Sequence, residues 1–175
     1  MKGPYPMTDK DLFYEDVEIG QHFVGTGRTV TDADLTFMCM MSGDWHPLHC
    51  DVEYARTSPF GGRIVGGVYG LIVTTGALSR WGSFDNSTLG MLSIDEWTFK
   101  APIYVGDTLT VEMTIVAKRL TKKADRGIID RRFDILNQDK ALVQTGRSAM
   151  MIALRSHQKD GAATMGRDDD LAAGS

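Results

Sequence analysis

VYGLIVTTGALSRW, residues 68–81, decides how this chain folds. The segment contains no proline and is apolar on nearly every side. Its Val, Ile, Tyr and Thr content favours a strand. Its unbroken length favours a helix, because strands of that length are uncommon. Length predicts a helix here, and a helix that is apolar all round must be covered on most sides.

The chain downstream offers the cover. Leu109, Val111, Met113, Ile115 and Ala117 alternate with Thr110, Glu112, Thr114 and Lys118, the period of a half-buried strand. Residues 91–99, 127–137 and 141–154 read as further strands, with Pro102, Gly106-Asp107 and Ala124-Asp125-Arg126-Gly127 as punctuation. Upstream, RTVTDADLTFMCMMSGD (28–44) predicts a helix. Thr31 caps it, Asp34 completes a capping box, and Gly43 ends it, with Leu35, Phe37, Met38 and Met41 as its apolar face. The expected class is α+β: a capped helix, a buried central helix, then a long antiparallel sheet.

At 175 residues the chain is one domain, long enough for a core without disulfide or metal staples. Hydrophobic residues make up 42% and charged residues 24%, ordinary globular values. With 19 Lys+Arg against 23 Asp+Glu, the net charge of −4 argues against a nucleic-acid footprint. No apolar run reaches the ~20 residues that span a bilayer. The first residues lack a signal-peptide pattern, and two cysteines make no secreted disulfide framework. The expected address is therefore a reducing cytoplasm. Residues 1–13 and 156–175 are expected to be tails, the second disordered, around a working domain at 14–155.

SGDWHPLHCD, residues 42–51, packs Asp44, His46, His49, Cys50 and Asp51 together. Pro47 prevents one regular helix from crossing it. Four readings are open. Asp44 and His49 could act as an acid/base pair on a water and a carbon acid. His46 and His49 with Asp51 or Cys50 could hold a metal. Cys50 could be a nucleophile with a neighbouring histidine as base. The fourth is an ordinary solvated loop. Gly61, Gly62, Gly66 and Gly67 then lead into residues 68–81. Glycines at a helix start allow close approach, and the free N–H groups there can hold an oxyanion.

The string GDWHPLHCDVEYARTSPFGGRIVGG (43–67) closely resembles the hydratase motif of the MaoC-like dehydratases, which include the (R)-specific enoyl-CoA hydratases. That motif runs Asp-x-Asn-Pro-x-His, Asp-x-x-Tyr-Ala, then Phe-Gly-x-x-Ile-x-x-Gly. The resemblance extends over about residues 14–154, taking in Val17 to Gly20, the Thr-Asp-Ala-Asp helix entry at 31–34, and FKAPIYVGDTL at 99–109. It implies a hot-dog fold, an antiparallel sheet wrapped around a long central helix, and so a helix at 68–81. It also implies a place in fatty acid metabolism and hydration of a trans-2-enoyl-CoA, or the reverse dehydration, with no metal or redox cofactor. The implied partners are an acyl-CoA and a second copy of the chain, as a homodimer or higher homo-oligomer, without nucleic acid or membrane.

By the same resemblance, Asp44 and His49 activate water, and the Gly67 N–H receives the thioester carbonyl. Thr75 falls where some members have a serine at the site. His46 stands where the family has Asn, and Gly66 where a His is frequent, so these two are expected to shape the pocket. Cys50 is expected to pack as a small hydrophobe. Alternatives on the same fold or ligand are an acyl-CoA thioesterase and a non-catalytic acyl-thioester binding module. KRLTKKADRGIIDRR (118–132) carries seven basic residues against two acids. It reads as a solvated hairpin, with Lys122, Lys123 and Arg126 as candidate contacts for CoA phosphates. Met38, Met40, Met41, Met150 and Met151 read as core, or as a deformable acyl tunnel.

Overall fold

The computed structural model describes residues 11–156. Three strands, β5 (Thr108–Leu120), β6 (Arg126–Leu136) and β7 (Leu142–Ala153), form the antiparallel body of a sheet. On one side β1 (His22–Val24) and β2 (Arg28–Thr29) pair with successive lengths of β5. On the other, β3 (Thr88–Met91) and β4 (Asp95–Phe99) pair with successive lengths of β7. The alternation read for β5 is borne out: Leu109, Val111, Met113 and Ile115 are all buried.

Against this sheet lies the central helix, α4 (Tyr69–Trp81), ended by Gly82 at φ 65°. Residues 68–81 are thus a helix, and the hot-dog arrangement follows. Tyr69, Val73, Ala77 and Trp81 join Val111, Met113, Phe133, Ile135 and Val143 of the strands in one core. The opposite side of α4, with Val68, Ile72, Thr75 and Ser79, faces outward.

α1 (Asp32–Ser42) has the caps its sequence predicts. The Thr31 hydroxyl accepts from the Asp34 N–H, the Asp34 carboxylate accepts from the Thr31 N–H at 2.9 Å, and Gly43 adopts φ 73°. Its inward face differs from the reading: Leu35, Met38 and Cys39 are buried, whereas Phe37 is 63% and Met41 78% exposed. The loop-rich stretch after it holds two short helices, α2 (Pro47–Cys50) and α3 (Val52–Thr57). Pro47 occupies the first turn of α2, where its missing N–H costs nothing.

Two further expectations are corrected. Residues 91–99 are not one strand: residues 92–94 interrupt the run, and a bulge lies between Asp95 and Thr98, with Glu96 at φ 51°. Nor do residues 11–13 belong to a tail, since Phe13 is 1% exposed and the Leu12 N–H donates to Ser83 O. Of the other expected tail residues, Ser156 is described and exposed, and 1–10 and 157–175 lie outside the described ones.

Candidate active site

α1 ends at Gly43, and its last turn delivers Asp44 to the edge of the loop. The Asp44 carboxylate accepts from the His46 N–H at 3.2 Å, which turns the chain. His46 then caps α2, its Nδ1 accepting from the Leu48 N–H at 3.2 Å. That is the task an Asn side chain performs at such a position. His46 therefore holds the loop through its own side chain, and its ring packs edge-on against His49 and Tyr54.

α2 brings His49 back to Asp44, with Nε2 3.6 Å from Oδ2. The two environments differ: the His49 side chain is 12% exposed and that of Asp44 57%. His49 Nδ1 lies 2.7 Å from Ile64 O. A carbonyl oxygen only accepts, so Nδ1 carries the proton, and in the neutral ring Nε2 is left with a lone pair. Two acceptors, Nε2 and a carboxylate oxygen, then face one point, an arrangement suited to a water that donates to both.

Ile64 ties this pair to the glycine turn. Its N–H donates to Leu48 O, and the Val65 N–H donates to Ile103 O. At Gly66-Gly67 the chain enters α4: Gly66 O accepts from the Tyr69 N–H at 2.9 Å, and Gly67 O accepts from Gln144 Nε2 at 2.9 Å. Among the described residues the Gly67 N–H meets no acceptor.

A groove of about 250 Å³ runs between α1 and α4. Its floor is Phe37, Met38, Met41, Ile72, Val73 and Gly76, and Arg28, Asp34, Tyr69 and Arg80 supply its polar atoms. It starts two residues past Gly67 and reaches Met41, three residues before Asp44, but neither Asp44 nor His49 lines it. Arg28 donates to both the Tyr69 hydroxyl and the Asp34 carboxylate. Burial pushes the Tyr69 phenol up to about 12, so it is neutral near pH 7.

The other sequence candidates lie elsewhere or do other work. Thr75 faces outward on α4, its hydroxyl donating to Ile72 O at 2.8 Å. Cys50 is exposed rather than packed, and its thiol points at the Trp45 and His46 carbonyls, not at an imidazole nitrogen. Asp51 caps α3 through the Tyr54 N–H. His46, Asp51 and Cys50 thus point to separate backbone groups, and among the described residues no three such side chains converge on a metal position. Met38 and Met41 line the groove, whereas Met150 is core and Met40 is exposed.

Lys122 and Lys123 sit on the β5–β6 turn and Arg126 opens β6, where it pairs with Asp125 at 3.0 Å. β5 is 13 residues long, roughly 40 Å, and separates them from Ile103 and Tyr104, which pair with Val65 and Ile64. Within one chain they therefore stand well apart from Ile64, the residue to which His49 bonds. Arg131, read as part of this basic surface, is 2% exposed and donates to Ser148 and Met150. Gln144, bonded to Gly67 O, and Trp97, bonded to Gln144, were not singled out from the sequence. No local pattern marked Gln144, because its strand also carries Thr145, Arg147 and Ser148.

An antiparallel sheet around a central helix is the hot-dog fold. The chain belongs to the MaoC-like domain family, whose model matches residues 16–132. It is 28% identical over 112 residues to an (R)-specific enoyl-CoA hydratase of Rhodospirillum rubrum, covering 63% of this chain and 74% of that one. To the (R)-specific enoyl-CoA hydratase of Aeromonas caviae it is 28% identical, over 79% of this chain and 97% of the relative. The crystal structure of a MaoC-like dehydratase from Rhodospirillum rubrum superposes with a TM-score of 0.70 at 30% identity, covering 82% of this chain and 98% of that one. These likenesses place the chain among the hydratases and dehydratases. No helix among the described residues is long and apolar enough to cross a membrane.

Proposed function

We propose that the chain hydrates a trans-2-enoyl-CoA to a 3-hydroxyacyl-CoA, and catalyses the reverse dehydration, with Asp44 and His49 as the catalytic pair. The observation that carries this is the paired approach of Nε2 and Oδ2, with the proton of His49 committed to Ile64 O. A water donating to both groups adds its oxygen to the β-carbon while its proton passes to Nε2. Electron density moves to the thioester oxygen, which accepts from the Gly67 N–H at the positive end of α4. Return of a proton to the α-carbon completes the addition of one water. By the family likeness the new hydroxyl has R configuration, and no cofactor enters.

The groove between α1 and α4 offers the acyl chain an apolar bed beside this pair. Exposed Phe37, Met41 and Ile72, with the bare face of α4, support a second copy of the chain as cover. In such a homodimer Lys122, Lys123 and Arg126 would meet CoA phosphates only across subunits. Two free cysteines are in keeping with a cytoplasmic address.

The test is a panel of short, long, branched and dicarboxylic trans-2-enoyl-CoA esters, followed by loss of the enoyl absorbance. Asp44→Asn is expected to lose at least ~10²-fold while folding normally. Near-full activity of that variant removes Asp44 from the mechanism. Release of free CoA thiol instead would indicate a thioesterase, and binding without turnover a carrier of acyl thioesters.

A further inference from the structure

We infer that Gln144 is a positioning residue that aims the Gly67 N–H at the thioester oxygen. This rests on the hydratase reading of the same site. Gln144 lies on β7 beneath the start of α4 and is 2% exposed, a costly place for an amide unless both its ends are bonded. Both are. Nε2 donates to Gly67 O at 2.9 Å, and Oε1 accepts from Trp97 Nε1 at 3.0 Å. An indole N–H only donates and a carbonyl only accepts, so these two neighbours fix which way the amide faces.

The chain leaves out side chains at both places this relay passes. A Cβ on Gly70 would stand 2.2 Å from Gln144 Oε1, and one on Gly146 2.2 Å from the Trp97 ring. Trp97 lies within the bulge of β4, the strand that pairs with β7.

What the relay restrains is a pair of glycines, the residues whose peptide planes turn most freely. Gly66 O is held by the Tyr69 N–H and Gly67 O by Gln144, so two successive peptides are pinned. In a trans peptide the N–H points opposite its own C=O. Holding Gly66 O therefore sends the Gly67 N–H the other way, and holding Gly67 O stops the next plane from twisting it back. Oxyanion donors act by being aimed before charge develops, and Gln144 locks the aim that the Tyr69 N–H sets.

The experiment uses the full chain carrying Gln144→Leu, and a conjugated 2,4-dienoyl-CoA whose absorbance shifts to the red when its carbonyl is polarised. For Gln144→Leu, kcat for the best enoyl-CoA is expected to fall about 10–100-fold, the scale of a misplaced reacting group. KM should change little, and the red shift of the bound dienoyl-CoA should shrink. Gln144→Glu should recover towards wild type as pH falls, because a protonated carboxyl again donates to Gly67 O. If Gln144→Leu does not fold, Trp97→Phe takes its place, with a smaller fall in kcat and red shift. A folded variant with wild-type kcat and an unchanged red shift overturns the inference. Turnover failure by the wild-type chain overturns the hydratase reading instead, and the red shift, which needs binding alone, separates the two.

Discussion

Adding one methyl group at Gly146 drives a Cβ into the face of Trp97. That carbon would lie 2.2 Å from Cε3, 2.7 Å from Cδ2 and 3.0 Å from Cζ3, where ordinary contact begins at 3.4 Å. The ring would have to retreat by about the difference, 1.2 Å, away from β7. A rigid indole wedged over a strand cannot do this by rotating one bond. Its N–H would also draw away from Gln144 Oε1, now at 3.0 Å. Overpacking costs about 1–3 kcal/mol and the lost hydrogen bond about 1 more, so Gly146→Ala should destabilise the fold by about 2–4 kcal/mol. The assay is urea unfolding of Gly146→Ala, Trp97→Ala and the double variant. Without the ring its three shortest contacts are gone, and its cost should fall below about 1 kcal/mol, leaving a clear coupling between the sites. Additivity within about 0.5 kcal/mol would show that Gly146 is not kept small for Trp97.

Removing the cap of α1 with Thr31→Ala should cost about 1 kcal/mol in urea unfolding, with Thr31→Ser retaining most of it. Burial alone would raise the Asp34 carboxyl, but the Thr31 hydroxyl and N–H and the Arg28 guanidinium outweigh it and hold it below 3.8. Its stabilisation is therefore full above pH 3.8 and lost as pH falls through the lower folded value, so the stability gap between wild type and Asp34→Asn should narrow in acid. Burial lowers the Arg131 guanidinium to about 10, and no carboxylate pairs with it among the described residues. Arg131→Met should leave urea stability unchanged or raise it by about 1–3 kcal/mol. Because the folded value lies below 12.5, the wild type alone should gain stability as pH rises through about 10.

Where the fold was written locally, the sequence could be read closely. Thr31, Asp34 and Gly43 mark α1 almost to the residue, because caps act over three or four positions. The β5 alternation and the length of residues 68–81 were likewise sufficient. Asp44 and His49 meet as expected because only a proline-started helical turn separates them. What was not legible depends on distant partners. β1 and β2 have three and two residues, too few to show a period, and exist because β5 supplies their bonds. The split between β3 and β4 shows only in their partners, since β3 pairs with residues 150–152 of β7 and β4 with residues 144–147. Gln144 reaches Gly67 across 77 positions and Trp97 reaches Gln144 across 47, beyond any local pattern. Arg131 carries a charge that reads as surface, yet its register opposite Ile115 turns it into the core.

The bond from Arg28 to both Asp34 and Tyr69 has a dynamic consequence. Asp34 sits in the first turn of α1 and Tyr69 in the first turn of α4, and one guanidinium serves both. Fraying of either turn breaks a bond to that guanidinium and loosens its hold on the other. In native-state hydrogen exchange, the first-turn amides of both helices should open with a shared free energy, as one cooperative unit. The two helices that wall the groove then open at their first turns together, not one at a time.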